Sequence, residues 1–184
     1  FNDSSNVSTF IDFDNSLVSW WRFDDINSSG DVIDYLSKIN LSKIGSGSQI
    51  DSGKIGKGFN LTGSTYLENA GFDNTGIFNR ELTTCVWLKP NIVATTGIIN
   101  SIYGTSDWSL HTSGTNDNFA FETYNSQTIT TYSGDNTLVA GNWHHACVTI
   151  NSSNQTAFYI NGILNQTNTH NFDSLDNGGN SLYV

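Results

Sequence analysis

Three stretches in the second half of the chain alternate apolar and polar residues with the two-residue period of a β-strand, and they limit the fold more than any other feature. They are residues 82–89, 142–150 and 157–164. In the third stretch, Asn161-Gly162 indicates a β-hairpin turn, because both residues tolerate positive φ. The chain's two cysteines, Cys85 and Cys147, lie in the middle of the first two stretches. If these strands are neighbours, the cysteines share one kind of face and can be bridged; two buried free thiols are the alternative.

Shorter strand-like segments precede and separate these three stretches. Between residues 97 and 132 they recur about every ten residues, at 97–102, 108–111, 119–122 and 128–132. Earlier in the chain, residues 17–23 form the first convincing strand, and residues 52–68 look like a strand pair that turns at Gly63. A length of 184 residues suits one domain. The pattern therefore predicts an all-β fold, an antiparallel two-sheet β-sandwich or jelly roll.

The charge balance excludes two classes of partner. A net charge of −10 and a pI near 4.4 leave no basic surface for nucleic acid or for an anionic membrane. No apolar run approaches the ~20 residues of a membrane-spanning helix. Acidity, the absence of Met, the paired cysteines and the N-x-S/T sequons together favour an extracellular or cell-surface protein. The candidate glycosylation sites are Asn2, Asn6, Asn27, Asn40, Asn60, Asn151, Asn154 and Asn165.

Five motifs occur in a familiar order, at residues 17–25, 53–63, 82–90, 142–145 and 158–162. Together they resemble the laminin-G-like, concanavalin A-like lectin/glucanase domains, over roughly residues 17–184. The resemblance implies a jelly roll, with residues 1–16 as a lead-in or an edge strand. The cysteine placement is similar to that of pentraxins, which bridge the equivalent strands, so it favours a disulfide between Cys85 and Cys147.

The resemblance also raises a question about the last strand. Domains of this family usually continue past a strand like residues 181–184 into one further strand. We therefore expect that strand either in a part of the polypeptide outside this sequence or from a neighbouring subunit, because an open sheet edge is a liability. The alternating residues 7–13 are a candidate for such strand exchange.

Catalysis is not expected. Glycosidases on this fold need two carboxylates that face each other across a cleft. The sequence has three glutamates, Glu68, Glu81 and Glu122, and none lies in a Glu-x-Asp-x-Glu pattern. We predict that the protein is not an enzyme.

A calcium ion is the candidate cofactor. Ca²⁺ takes six to eight oxygen ligands from carboxylates, amides and carbonyls. Related domains often hold calcium in the loop after the first strand, which in this sequence has Lys38 within residues 34–40. The candidate ligands are Asp24, Asp25, Asp31, Asp34 and Asn40, and solvated loop carboxylates are the alternative interpretation.

Sugar binding would use an exposed aromatic ring with polar groups around it. Such residues lie between the later strands, where Tyr132 is one of the available rings. The candidate ligand-binding residues are Tyr103, Asp107, Trp108, Asn118 and Tyr124. For Trp108, burial in the core is the alternative.

Two functional hypotheses from different classes remain. The first is a non-catalytic binding or adhesion module of an extracellular protein that recognises a glycan or a protein ligand. The second is a structural subunit of an extracellular assembly or homo-oligomer, whose open sheet edge is filled by a strand of the next subunit. The fold alone does not choose between them.

Overall fold

The computed structural model describes residues 16–73, 81–102, 108–125, 127–169 and 181–184. In these ranges the chain forms thirteen strands and no helix, and every strand pair is antiparallel. The strands are β1 Ser42–Ile44, β2 Ser48–Ile50, β3 Gly58–Asn60, β4 Tyr66–Ala70, β5 Leu82–Leu88, β6 Thr96–Ile102, β7 Trp108–Ser113, β8 Asn118–Asn125, β9 Gln127–Tyr132, β10 His144–Ile150, β11 Gln155–Ile160, β12 Ile163–Thr169 and β13 Ser181–Tyr183.

Two large sheets face each other. The seven-stranded sheet has the order β1-β4-β13-β6-β7-β8-β9, and the four-stranded sheet has the order β12-β11-β10-β5. Strands β2 and β3 form a separate two-stranded ribbon. This confirms the predicted all-β sandwich. Because the described residues contain no helix, none of them forms a helix that could cross a membrane.

The core lies between the two large sheets. Leu110 and Phe121 contribute to it from the seven-stranded sheet, and Val148 and Phe158 from the four-stranded sheet. The rings of Phe119 and Phe158 meet edge to face across the interior, with centroids 6.0 Å apart. Each such side chain stabilises the fold by about 1.5–3 kcal/mol through apolar burial.

The expected disulfide is present. Strands β5 and β10 are neighbours, and their register places Cys147 directly opposite Cys85. The two Cα atoms are 4.1 Å apart, and the sulfurs are bonded. The bridge lies on the outer face of the four-stranded sheet, opposite the face that carries Val86 and Val148 into the core.

The predicted hairpin is also present. Strands β11 and β12 are joined by Asn161 and Gly162, with φ angles of 53° and 81°. These positive values at both turn positions are those of the type I′ turn that suits the twist of a hairpin.

The prediction of a first strand at residues 17–23 is wrong. Residues 17–22 lie in no strand ladder, although Val18 and Trp21 pack against the core. Instead, the Trp20 N–H donates to Asp34 Oδ1 at 2.8 Å, and Trp21 Nε1 donates to the Ile39 carbonyl at 2.6 Å. The segment is therefore held by a side-chain carboxylate and an indole N–H rather than by strand pairing.

The prediction that residues 52–68 form a strand pair is right about the turn at Gly63 and wrong about the pairing. Gly63 has a φ of 62° and lies in a turn, as expected. The strands on either side do not pair with each other, because β3 pairs with β2 whereas β4 pairs with β1 and β13. The chain thus passes at this turn from the two-stranded ribbon to the seven-stranded sheet.

Residues 181–183 form an interior strand, β13, between β4 and β6. Within the part of the chain that the structure describes, the edge strands of the large sheets are β1, β9, β5 and β12. Residues 1–15, including the alternating segment 7–13, lie outside the described residues.

Candidate functional site

The outer face of the seven-stranded sheet is polar. On β7, Trp108 and Leu110 point into the core, so Ser109, His111 and Ser113 lie on the opposite face. The register of β7 with β8 then places Asn118, Ala120, Glu122 and Tyr124 on that same outer face. Tyr132 joins them from β9, since it pairs with Ala120. The outer face of these strands therefore carries mainly polar side chains, although those of Ser109, His111, Ser113 and Asn118 are buried.

A cavity of about 340 Å³ opens at one end of this face. It lies where the β7–β8 turn meets the loop that follows β9, so residues distant in sequence converge there. We call it the polar pocket, and its lining residues are Ser113, Thr115, Asn116, Asn118, Tyr132 and Asp135.

Backbone hydrogen bonds hold the two loops of the polar pocket together. The N–H of Asn136 donates to the Asn116 carbonyl at 2.7 Å, and the N–H of Leu138 donates to the Asp117 carbonyl at 2.9 Å. The hydroxyl of Ser133 accepts the N–H of Phe119 at 2.9 Å. The pocket rim is therefore fixed before any ligand arrives, which lowers the entropic cost of binding.

Asn118 is the central polar group of the pocket. Its side chain is 3% exposed, and its Nδ2 donates to Asp135 Oδ1 at 3.5 Å. Its Oδ1 is buried and accepts no hydrogen bond from the described residues. A buried acceptor without a donor costs about 1–3 kcal/mol, so a ligand hydroxyl that donates to it recovers that energy. Beside it, Tyr132 is 43% exposed and offers a ring face.

A second polar cluster lies further along the same face. Ser109 Oγ and His111 Nδ1 are 3.2 Å apart, and Tyr124 OH donates to Glu122 Oε2 at 2.9 Å. The same Glu122 oxygen lies 3.9 Å from His111 Nδ1. Burial lowers the pKa of His111 below its usual 6.5, although the Glu122 carboxylate acts in the opposite direction. Burial also raises the pKa of Tyr124, so its hydroxyl stays protonated and able to donate.

The predicted sugar-binding residues are only partly brought together. Asn118 lines the pocket, and Tyr124 lies on the same face in the second cluster. The prediction for Trp108 is corrected, because its side chain is 1% exposed and its ring stacks on Phe121 at 6.1 Å, so no solvent ligand reaches it. Tyr103 and Asp107 lie outside the described residues.

Sequence reasoning missed Ser113, Thr115 and Asp135 as pocket residues. The signal that could have found them is topological. In an antiparallel meander, the turn between β7 and β8 and the C-terminal end of β9 lie at the same end of the strands. A carboxylate just after β9, such as Asp135, is then expected beside the turn residues.

In the predicted calcium loop, the central carboxylate belongs to Asp34 and accepts hydrogen bonds from the backbone. The side chain of Asp34 is completely buried. Its Oδ1 accepts the N–H groups of Trp20 and Leu36 at 2.8 and 3.2 Å. Its Oδ2 accepts those of Lys38 and Ile39 at 3.0 and 3.1 Å. Burial by itself would raise the pKa of Asp34, but these four donors outweigh it and hold the pKa below the ordinary 3.8. Asp34 therefore stabilises the loop through these hydrogen bonds, and neither of its oxygens is free to bind a cation.

The other four candidate ligands are also engaged separately. Asp24 Oδ1 accepts the Lys57 N–H at 2.8 Å, and Asp25 Oδ2 accepts Arg22 Nη2 at 3.0 Å. The Lys43 N–H donates to Asp31 Oδ1 at 2.9 Å, which is the main cause of the lowered pKa of Asp31. The Asn40 side-chain oxygen accepts the Asp34 N–H at 3.0 Å. The five residues as arranged do not fit a calcium ion.

One group of potential metal ligands does come together among the described residues, and it lies in the four-stranded sheet. The ligand atoms of Cys85, His145 and Cys147 lie within 4.8 Å of one another. Because both sulfurs are bonded in the disulfide, they are not available as thiolate ligands.

The sequons differ in accessibility. Asn154 is half-buried and the Thr156 of its sequon is completely buried, whereas the other described sequon asparagines are exposed. Asn2 and Asn6 lie outside the described residues, and the exposed ones are Asn27, Asn40, Asn60, Asn151 and Asn165. Glycosylation of these stays a prediction.

A comparison with protein families gives a match over residues 61–184, to the family described as the concanavalin A-like lectin/glucanases superfamily. The chain belongs to this superfamily. The predicted resemblance is thereby confirmed. A search of curated proteins gave no match to the chain.

Solved structures agree with the superfamily's fold. Domain 4 of AbnA, an extracellular arabinanase from Geobacillus stearothermophilus, was solved with arabinotriose. It is 20% identical, with a TM-score of 0.62 over 82% of this chain and 75% of that one. The binding domain of Paraclostridial Mosquitocidal Protein 1 is 16% identical, with a TM-score of 0.65 over 90% of this chain. The binding domain of botulinum neurotoxin DC, in complex with rat synaptotagmin II, is 18% identical with a TM-score of 0.63. This chain spans 42% of each of the latter two.

The superfamily is described by both lectins and glucanases, and a glycosidase site needs a pair of carboxylates. Glu68 and Glu122 both lie on the outer face of the seven-stranded sheet, in register through β13, β6 and β7. They are four strand spacings apart, about 19 Å. Carboxylates that cleave a glycosidic bond are roughly 5–9.5 Å apart. Glu81 precedes β5 in the other sheet, so the described glutamates form no hydrolytic pair.

Proposed function

We propose that this domain is a non-catalytic carbohydrate-binding module of an extracellular or cell-surface protein, and that the polar pocket is its sugar site. The observation that carries the proposal is the buried, unpaired Oδ1 of Asn118 beside the exposed ring of Tyr132. A sugar combines the two groups that this arrangement accommodates, hydroxyls that donate hydrogen bonds and a C–H face that packs on an aromatic ring.

The charge of the site narrows the class of sugar. Asp135 places a carboxylate at the rim, where it accepts hydrogen bonds from hydroxyls and repels anions. The net charge of −10 adds a long-range repulsion of the same sign. We therefore propose neutral glycans as ligands, rather than sulfated or sialylated ones.

Two further findings support this proposal. The similar arabinanase domain was solved with arabinotriose, and the disulfide is typical of proteins that fold outside the reducing cytoplasm. A protein ligand is the alternative for the same binding module, since one similar toxin domain was solved with synaptotagmin II.

A glycan array tests the proposed function directly. The wild-type domain should bind a defined set of neutral glycans, and sulfated and sialylated glycans should give no signal. The variant Tyr132→Ala should lose the signal, because the stacking platform is gone. Tyr183→Phe, elsewhere on the same sheet, is the matched control and should bind normally. An array without any specific signal for the wild-type domain would contradict the proposal.

Strand exchange between subunits is a second proposal, and it rests on β5. This strand of seven residues is an edge strand among the described residues, and its Val86 and Leu88 are only half-buried. A strand from another subunit that pairs with β5 would cover them. Deletion of residues 1–13 should then convert an assembly to monomers in light scattering. An unchanged mass would exclude exchange through that segment.

A further inference from the structure

The disulfide on the outer face of the four-stranded sheet is covered unequally at its two ends. Cys85 is exposed, whereas Cys147 is buried, with 8% of its surface exposed. Strand β5, which carries Cys85, is an edge strand among the described residues, while β10 lies between β5 and β11. The Cys85 end of the bond is therefore the more accessible of the two to a solute.

The register of the sheet also gives the two sulfurs different access for exchange. A thiolate attacks one sulfur of a disulfide from the side opposite to the sulfur that leaves. On the side of Cys147 away from Cys85, Tyr159 of β11 lies directly opposite Cys147 and on the same face of the sheet. On the side of Cys85 away from Cys147, the described residues contain no further strand. The arrangement favours attack on Cys85 Sγ and obstructs attack on Cys147 Sγ.

The sulfur of Cys147 has a hydrogen-bonding group beside it. His145 precedes it by two residues on the same face of β10, and its Nε2 and Nδ1 lie 3.7 and 3.9 Å from Cys147 Sγ. The imidazole ring packs against the Trp87 ring, with centroids 4.9 Å apart. The His145 backbone N–H donates to Asn161 Oδ1 at 3.0 Å. His145 is thus held where a ring N–H stabilises a thiolate that forms on Cys147.

We propose that Cys85 is a modification site for low-molecular-weight thiols, which form a mixed disulfide with it by exchange in the folded protein. The electron pair of the attacking thiolate forms the new S–S bond to Cys85 Sγ. The bond between Cys85 and Cys147 breaks, and its electron pair stays on Cys147 Sγ beside His145. This inference is independent of the proposed sugar site, because the two lie in different sheets. Under the alternative, the disulfide is only structural and exchanges only when the protein unfolds.

Incubation of the folded, oxidised domain with reduced glutathione, quenched at early times with excess N-ethylmaleimide, tests the site of attack. Peptide mass spectrometry then locates the glutathione and the maleimide. We expect glutathione on Cys85 and maleimide on Cys147, in about tenfold excess over the reverse arrangement, because access decides which sulfur is attacked. Tyr159→Ala should increase the reverse arrangement, since it removes the side chain that obstructs attack on Cys147.

The rate of exchange tests the role of His145. His145→Phe keeps a ring beside Trp87 and removes the N–H donors, so exchange should slow about tenfold, as for the loss of one hydrogen bond to a charged group. His145→Gln restores a donor and should recover most of the rate. Thr149→Val is the matched control, because Thr149 lies on the same face of β10, two residues from Cys147 on its other side. This variant should exchange at the wild-type rate.

Three results would contradict the proposal. Glutathione found mainly on Cys147, or no exchange in the folded protein, would overturn the assignment of Cys85. A rate that rises about fivefold or more in about 1 M urea would show that exchange follows unfolding, which leaves the disulfide only a structural role. Equal rates for His145→Phe and Thr149→Val would overturn the role of His145.

Discussion

The amide of Asn118 is held by Asp135, seventeen residues later, through a hydrogen bond of 3.5 Å from Nδ2 to Oδ1. This contact joins the first residue of β8 to the loop after β9. It also fixes which end of the amide is used, so that the buried Oδ1 stays without a donor. The relationship between these two residues therefore defines the acceptor of the proposed sugar site.

Asp135→Asn should weaken sugar binding with little effect on stability. The substitution removes the charge that accepts ligand hydroxyls, and it offers Asn118 an amide that can face it with either end. We expect affinity to fall about tenfold, as for the loss of one charged hydrogen bond. The free energy of unfolding should change by less than about 0.5 kcal/mol, because Asp135 is exposed. Asp51→Asn is the control, and equal affinities for both variants would contradict the assignment.

Asp34→Asn should destabilise the fold in a pH-dependent way. The amide replaces one oxygen by a donor, so two of the four backbone N–H groups lose their acceptor, at a cost of about 2–4 kcal/mol. Because the folded-state pKa lies below 3.8, the stabilisation by Asp34 is complete above that value and is lost as the pH falls through the folded-state pKa.

Urea unfolding between pH 7 and pH 2.5 measures this effect. The difference between wild type and Asp34→Asn should be largest at neutral pH and shrink below pH ~4. Asp25→Asn, at an exposed ion pair, is the control and should cost little at any pH. A difference that stays constant down to pH 2.5 would mean that the carboxylate charge is not the stabilising group.

Removal of the disulfide should lower stability without changing the sugar site. Replacement of both Cys85 and Cys147 by Ser reopens a loop with a sequence separation of 62, which costs about 3–4 kcal/mol on the chain-entropy model. The bridge is in the four-stranded sheet, whereas the polar pocket is in the other. Chemical denaturation and sugar titration measure the two effects. Two alkylatable thiols in the native, unreduced protein would contradict the bond itself.

Calcium should leave the melting temperature unchanged. A ligand that binds only the folded state raises it, and Asp34 and Asp31 have both oxygens engaged within the protein. Scanning calorimetry in chelator and in millimolar calcium compares the two conditions. An upward shift that disappears in Asp24→Asn would show that the loop rearranges into a cation site.

Part of the four-stranded sheet could be predicted from sequence, because β5 alternates exposed residues with more buried ones. Thr83, Cys85 and Trp87 alternate with Val86 and Leu88, so the period of two is visible and places the cysteines on one face. The Asn161-Gly162 turn then fixes the neighbouring hairpin. In these two cases the local sequence was sufficient to predict the structure.

The pocket and the N-terminal region could not be predicted in the same way. Every residue of β7 is buried, so its sequence does not show that Trp108 faces the core and His111 the outer side. Residues 17–22 have the composition of a strand, yet the carboxylate of Asp34 holds the backbone of Trp20. The orientation of β7 and the conformation of residues 17–22 both depend on long-range packing, which cannot be inferred from local residue propensities.

A sugar titration followed by amide chemical shifts in ¹⁵N-labelled protein shows whether the polar pocket is the sugar site. The ligand is the neutral sugar that gives the strongest array signal, or arabinotriose if several are equal. We predict that the shifted amides cluster at residues 113–118 and 132–136, with a saturable dose dependence, and that Tyr132→Ala abolishes the shifts while the spectrum stays that of a folded protein. Saturable shifts confined to the four-stranded sheet, or no shifts at millimolar sugar, would contradict it.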